Sequence, residues 1–406
     1  MKRSLILLTV ASYLALTLTL LDFSSSEKAE AVSPPDLIVH EWGTFTSIAG
    51  KSGVAIDWRP LEEKSDLPKF VYTDLDNDGF RGTYGIKGKG VLARVRMETP
   101  VIYFYTPKEM DVNVRVSFTE GKITEWYPQA SFVNSKYAPG KSGQTFGDGI
   151  NWGTIRLLPD EKQDFLREAG YSHYYPARET DAVPIQVCNA DKTRIEKEKF
   201  LFYRGIGNFD LPLDVKLNDG KITLSDTLQQ GVKNVFVFEN RGGRVGFRFI
   251  ESLSKETIVA RPETTKTLDS ILVELEKILV GEGLYEKEAR AMIKTWQDSW
   301  FEEGLRVFYI LPRRLTDKIL PLDIVPTPKE TVRVIVGRTE IITPELEKDV
   351  LRQVGLLKDS SAEVRDAARE NLKKHGRFYE PILKSILESE KDLKIREQIQ
   401  KLIDLS

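Results

Sequence analysis

Side chains capable of acid–base or metal chemistry gather in three stretches of the sequence. They are His40-Glu41-Trp42-Gly43-Thr44-Phe45-Thr46-Ser47, Ser172-His173-Tyr174-Tyr175-Pro176-Ala177-Arg178-Glu179-Thr180-Asp181, and Thr295-Trp296-Gln297-Asp298-Ser299-Trp300-Phe301-Glu302-Glu303-Gly304. His40 with Glu41, and His173 with Glu179 or Asp181, have the composition of a histidine–carboxylate metal site or an acid–base pair, in which Arg178 or Arg204 would hold an anionic group. Spacing limits this reading. Neighbouring residues of a strand point to opposite faces, so an extended His40-Glu41 cannot turn both side chains to one site. The chain has 3 histidines, His40, His173 and His375, and 1 cysteine, Cys188. A site built from several imidazoles would use nearly all of them, and neither an intrachain disulfide framework nor a cysteine-cluster zinc site is available. Cys188 follows the apolar run Pro184-Ile185-Gln186-Val187 and reads as a small buried side chain rather than a nucleophile. There is no H-E-x-x-H, glycine-rich phosphate loop or G-x-S-x-G elbow. The competing reading of His40 and His173 is hydrogen bonding within the fold. His375, beside Gly376 at a helix end, needs no role beyond a favourable interaction with the helix dipole.

Two further features could bind a ligand. Asp74-Leu75-Asp76-Asn77-Asp78-Gly79 places carboxylates at positions one, three and five of a loop with glycine at six, as in loops that gather oxygen ligands around calcium. Arg81 and Gly85 stand where such a loop carries an apolar residue and a bidentate glutamate. Asp74, Asp76 and Asp78 therefore read either as a weak calcium site or as an acidic solvated turn. Trp126, in Thr124-Glu125-Trp126-Tyr127-Pro128, is the tryptophan best placed to bind a ligand at the surface. The alternative for it is core packing, as for Trp296 and Trp300, four residues apart on one helical face.

The elements that must position these residues belong to a chain of 406 residues with 41% hydrophobic content and a formal net charge of -2. At about 150 residues per domain this suffices for two or three cores, and the charge balance leaves no basic excess to neutralise phosphates, so nucleic acid is not an expected partner. From Leu37 to about Ala260, short β-branched and aromatic runs separated by Gly, Pro, Asn and Asp predict a β-sandwich-type body, with one brief helix around Glu161 to Ala169. Phe104-Tyr105, Asp111-Val112 and Gly121-Lys122-Ile123-Thr124 are echoed by Phe202-Tyr203, Asp214-Val215 and Gly220-Lys221-Ile222-Thr223. Segments 95–130 and 195–230 thus read either as a duplication or as a chance recurrence of Gly-Lys turns. Residues 266–303 predict a helical hairpin inserted in this body, which resumes in strands at Arg306 to Leu311 and Val332 to Val336.

From 343 to 406 the pattern is helical, with capping signals at Thr343-Pro344-Glu345 and Ser360-Ser361-Ala362-Glu363. Asp359 to Gly376 resembles a HEAT-type repeat. One full repeat is too few for an independent solenoid, so this tail is expected to dock on the rest of the protein or on a partner. The fold class expected is mainly β with α.

Lys2 and Arg3 precede an uncharged run from Leu5 to Leu21, and Ala29-Glu30-Ala31 supplies a cleavage site, so residues 1–31 read as a signal peptide and residues 32–342 as the β-rich body. The alternative is an uncleaved amino-terminal anchor, the one circumstance in which a membrane would be a partner. The first and third stretches above, together with Met97-Glu98-Thr99-Pro100-Val101-Ile102-Tyr103-Phe104-Tyr105, resemble an uncharacterised family of exported bacterial proteins. That resemblance implies location outside the cytoplasm and assigns no catalytic residues. The function expected is an exported, non-enzymatic binding or structural protein of the cell envelope or extracellular space, with a protein or envelope polymer as partner. The alternative is a metal- or carboxylate-dependent hydrolase of such a polymer, drawing on His40, Glu41, His173, Arg178 and Glu179.

Overall fold

The computed structural model describes residues 36–61, 66–73, 91–135, 148–162, 164–188 and 195–405. The predicted signal segment and the acidic loop of Asp74, Asp76 and Asp78 lie outside them. Among the described residues the fold is mainly β, and no helix is long and apolar enough to cross a membrane.

Numbered along the chain, nine strands form one sheet in the order β14 (Arg244–Ser252), β13 (Lys233–Arg241), β16 (Gly304–Ile310), β18 (Glu330–Ile341), β1 (Ile38–Ala49), β3 (Val95–Tyr105), β10 (Leu201–Gly207), β5 (Gly121–Tyr127) and β2 (Tyr72–Thr73). A second sheet runs β17 (Leu322–Val325), β4 (Met110–Phe118), β7 (Asp148–Leu157), β8 (Ile185–Cys188) and β9 (Ile195–Glu198), with β6 (Phe132–Ser135) also on β7. A third holds β11 (Leu213–Asn218), β12 (Lys221–Asp226) and β15 (Glu256–Ala260). The main core packs Val39 and Phe45 of β1, Ile102 and Phe104 of β3 and Val307 of β16 with Val114 of β4, Ile155 of β7 and Leu224 of β12, so it lies between the large sheet and the other two. The opposite face of the large sheet is covered by a helical hairpin, α1 (Asp269–Gly281) and α2 (Glu286–Trp300), whose Leu275, Met292 and Trp296 pack against Trp42, Tyr103 and Phe236.

The hairpin joins β15 to β16, and β16 and β18 both enter the large sheet, so the helices are an insertion in the β body. β1 lies near the sheet centre, parallel to β18 and antiparallel to β3. Both its faces are covered, and apart from Ile38 it is buried throughout, so its polar residues His40, Glu41, Thr44, Thr46 and Ser47 are all enclosed.

One sequence expectation does not hold. The described residues between 161 and 169 form no helix. Phe165 and Arg167 instead make cation–π contacts with Arg178 and Tyr175, which spread that segment over an aromatic cluster. The echoed segments differ in pairing. β12 folds directly onto β11, whereas β5 leaves β4 to pair with β10 in the other sheet. The recurrent Gly-Lys turn is therefore local chemistry shared by two different topologies.

The tail comprises α4 (Pro344–Leu356), α5 (Ala362–Lys373), α6 (Tyr379–Ser389) and α7 (Leu393–Leu405), preceded in the chain by the short α3 (Arg313–Ile319) within the body. The predicted caps form: Thr343 Oγ1 accepts from Leu346 N and Ser361 Oγ from Val364 N. Val350, Val354, Leu372, Ile382, Ile386, Ile399 and Ile403 give the tail its own core, separate from those of the body.

Candidate functional site

Strand alternation on β1 sends His40 and Glu41 to opposite faces. His40 turns towards the hairpin, where its Nδ1 lies 2.7 Å from Glu288 Oε2. The Tyr105 hydroxyl donates to Glu288 Oε1 at 2.9 Å and the Tyr285 backbone N–H to Oε2 at 2.8 Å. Tyr285, itself 43% exposed, also places its ring 4.5 Å from the imidazole and covers a His40 that is only 1% exposed. Burial and then the Glu288 charge raise the Tyr105 phenol well above its ordinary range, so it remains a donor. Glu41 faces the core between the sheets, where it accepts from Tyr203 Oη at 2.5 Å and from Arg333 Nε at 2.5 Å.

His173 lies elsewhere. Its Nδ1 is 2.5 Å from Asp66 Oδ2 and its Nε2 is 2.7 Å from Asp298 Oδ1. Arg204 donates from Nη1 to Asp66 Oδ1 at 2.9 Å and reaches Thr99 Oγ1 at 3.4 Å. The result is a chain of alternating charge, Arg204 to Asp66 to His173 to Asp298, running from an enclosed guanidinium to a half-exposed carboxylate. Although burial disfavours the charged imidazole, hydrogen bonds and attraction from Asp66 and Asp298 outweigh it and raise the His173 pKa. Asp66 shows the same balance: burial opposes its charge, yet Arg204 and His173 hold it well below the usual carboxylate range. The ring of His173 stacks on Trp296 at 5.6 Å and 20°.

The two histidines therefore do not share a site. Their partners Glu288 and Asp298 sit at opposite ends of α2, ten residues apart, or about 15 Å along a helix axis. The expected pairing of His173 with Glu179 or Asp181 also fails, because those carboxylates bind Lys294 and Lys287, on α2, at 2.5 Å each. Arg178 forms a two-point pair with the enclosed Glu198, at 2.9 and 2.6 Å, and lies over the rings of Tyr174, Tyr175 and Phe165. It thus pins the 172–181 segment and does not face an open anion site. Trp126 is half-buried, packs on the main core and stacks on Tyr72, which leaves little of its ring for a ligand. Cys188 is exposed at the end of β8, contrary to expectation, because the last side chain of that strand points away from the core. His375 is 3.1 Å from Asp349. Among the described residues, no group of three His, Cys, Asp or Glu side chains is placed to hold a metal ion.

The Arg204 chain is the end of a longer polar belt on the hairpin side of the large sheet. Register places Arg306 opposite Glu340, Arg338 opposite Thr46, Thr46 opposite Arg96, and Arg204 opposite Glu125. Arg306 donates to Glu340 at 3.0 Å, Arg338 to Ser299 and Glu302 at 2.8 Å, Thr46 to Glu98 at 2.9 Å and Arg96 to Glu125 at 3.0 Å. The three resembling phrases thus meet here, through Thr46, through Glu98 and Thr99, and through Asp298, Ser299 and Glu302. Bulges interrupt the pairing of β1 with β3, β3 with β10 and β10 with β5 at this level, and Thr99 takes a φ of 46°. Such irregularities re-aim side chains and gather beside functional sites.

Sequence reasoning missed Asp66, Glu288 and Arg333. Asp66 sits in a connection without any motif, and the other two meet β1 through side chains and sheet register that no local pattern encodes. Asp298 lay inside a stretch already singled out.

Among the described residues, clefts lie between the tail and the body. The larger, of about 590 Å³, lies between the ends of β13, β16 and β18 and the tail residues Glu345, Asp349 and His375; the smaller, of about 270 Å³, lies beside Lys51 and Glu347. Ion pairs bridge the joint at Arg261–Glu345 (3.0 Å), Lys51–Glu347 (3.5 Å) and Arg59–Glu380 (3.1 Å). No family model matches the chain, and no curated protein matches it.

Proposed function

We propose that this chain is an exported, non-enzymatic binding or structural protein of the cell envelope or extracellular space, with a β-sandwich body and a HEAT-like tail that serves as an interaction surface. It belongs, on this reading, with the exported bacterial proteins that its three phrases resemble, and its partner is a protein or an envelope polymer. One observation carries the reading: His40, Glu41, His173, Arg178 and Arg204 are each taken up by a charged side chain within the fold, and Glu179 by Lys294 at its surface. A catalyst keeps a base or nucleophile within reach of a bound substrate. Here that reach is spent on neighbouring side chains. The separate tail core and the hollow joint bridged by ion pairs support a tail that acts as its own module on the body.

Deletion of residues 359–406 tests the tail. It should uncover Val350 and Val354, lower the melting temperature and increase binding of a hydrophobic dye, whereas an equally stable monomeric truncation would contradict docking.

A second reading, a hydrolase of an envelope or extracellular polymer, is favoured by one feature, the carboxylate-flanked His173 beside Arg204. Metal analysis of residues 32–406, and release of new chain ends from peptidoglycan or polysaccharide with His40→Ala and His173→Ala as controls, decides between the two. Turnover that disappears with His173→Ala would replace the binding reading.

A further inference from the structure

Tyr171 is the exposed aromatic of the His173 chain, at 70% exposure, yet it sits against two anchored neighbours. Its ring meets the His173 imidazole edge-on, with centroids 5.2 Å apart and planes at 82°, and its phenol lies close enough to Asp298 that burial and then that carboxylate raise its pKa. Behind His173 lies Trp296, only 3% exposed, so three rings run in series from the surface into the core. An exposed side chain ordinarily keeps its rotamer freedom, and a lone surface contact hardly offsets the entropy of fixing it. Here the fixing groups are themselves anchored. Asp298 is held by His173, His173 by Asp66, and Asp66 by Arg204, whose side chain is 7% exposed. A chain of enclosed charges that ends by orienting an open phenol and a 55%-exposed carboxylate is the support expected beneath a preorganised contact surface.

The chemistry of that surface selects its ligand. The phenol offers an apolar π face, and Asp298 offers carboxylate lone pairs that accept hydrogen bonds. Asp66 and Asp298 are both already hydrogen-bonded to His173, and Arg204 to Asp66, so neither a cation nor an anion finds a counter-charge here that is not already engaged. A neutral molecule with an apolar C–H face and several hydroxyl donors suits both groups. Resting on the proposal that this is a binding protein, we propose that Tyr171 and Asp298 form a subsite for a neutral sugar ring of an envelope or extracellular polysaccharide. The pyranose C–H face lies on the Tyr171 ring while its hydroxyls donate to Asp298.

The test uses residues 32–406 and neutral oligosaccharides, namely the tetramers of N-acetylglucosamine, glucose and mannose, followed by calorimetry and tryptophan fluorescence. Spermidine and a sulfated oligosaccharide serve as charged comparators. At least one neutral tetramer should bind at about 10 mM, a concentration that reveals millimolar dissociation constants. Tyr171→Ala should weaken it at least about tenfold and Asp298→Asn by several-fold, while Tyr171→Trp should retain it. Melting temperatures of the variants identify any that misfold, and Tyr171, being exposed, is expected to melt as the wild type does when replaced by alanine. The proposal is overturned if no neutral tetramer binds, if Tyr171→Ala binds unchanged, or if spermidine or the sulfated sugar binds in preference. None of those results touches the tail-based reading of function. Conversely, cleavage of a bound tetramer would overturn the non-enzymatic reading and leave the subsite standing.

Discussion

Glu41 is the charged group whose loss the fold should tolerate least. Its carboxylate is fully buried on β1 and holds two groups that have little else to bind: the Tyr203 hydroxyl at 2.5 Å and Arg333 Nε at 2.5 Å. Arg333 lies directly across from Glu41 on the parallel strand β18. Its side chain is 1% exposed, and it also donates to Asp317 Oδ1 at 2.8 Å. Attraction from Glu41 and Tyr203 outweighs burial and pushes the Arg333 pKa further up, so the guanidinium cannot escape by losing its proton.

Glu41→Ala therefore leaves a cation and a phenol short of an acceptor between the sheets. Breaking a buried pair costs about 3–5 kcal/mol, and the half-exposed Asp317 retains part of the charge, so a loss of about 3–4 kcal/mol is expected. Glu41→Gln keeps an acceptor for one of the two donors and should lose roughly half as much. Removing all three groups tests the cause. Glu41→Leu with Arg333→Met and Tyr203→Phe substitutes apolar side chains of similar size and should return to within about 2 kcal/mol of the wild type. The assay is urea unfolding of residues 32–406 followed by tryptophan fluorescence and far-ultraviolet circular dichroism, whose coincidence checks two-state behaviour. The reasoning fails if Glu41→Ala loses less than about 1 kcal/mol, or if the effects of Glu41→Ala and Arg333→Met simply add.

Three further outcomes are expected. Because the folded-state pKa of His173 is raised, the stabilisation it gives should be complete below its unfolded value near 6.5 and disappear as pH rises through the higher folded value. Asp66, with its pKa depressed, contributes above its unfolded value of about 3.9 and should lose that contribution only as pH falls towards its folded one. Melting temperatures of the wild type and His173→Gln should thus converge at alkaline pH, and a constant gap would contradict the linkage. Among the described residues the Lys199 ammonium is enclosed without a hydrogen-bond partner, and burial pulls its pKa down to about 8. Lys199→Met should therefore stabilise the protein more at pH 6, where the folded amine must carry its charge, than at pH 10, where the folded amine is neutral and the unfolded one has begun to lose its proton; equal effects at the two values would count against it. Finally, a Cβ on Gly337 would stand 2.1 Å from the Tyr309 ring, so Gly337→Ala should cost about 1–3 kcal/mol and Tyr309→Leu should relieve much of it.

Local elements were legible in the sequence because their causes are local. The hairpin of β13 and β14 follows from Asn240-Arg241-Gly242-Gly243-Arg244, the caps at Thr343 and Ser361 from hydroxyls placed ahead of helical periods, and α1 and α2 from apolar residues at helical spacing. The short helix at 161–169 was misread because polar residues at plausible spacing gave no sign that Phe165 and Arg167 would be drawn to the cluster around Arg178. Cys188 was misread because an apolar run does not disclose which face of its strand is covered.

By itself the sequence determined that this is a β-rich body with an inserted helical pair and a helical tail, that few residues are available for imidazole or thiol chemistry, and that His40 and Glu41 must diverge. That last point followed from the two-residue period of a strand. Only the tertiary structure decided the partners: Glu288 for His40, Arg333 for Glu41, and Asp66 and Asp298 for His173. These contacts join residues more than a hundred positions apart, set by sheet order and register, and local periodicity carries no information about which distant strand or helix will supply the opposing charge.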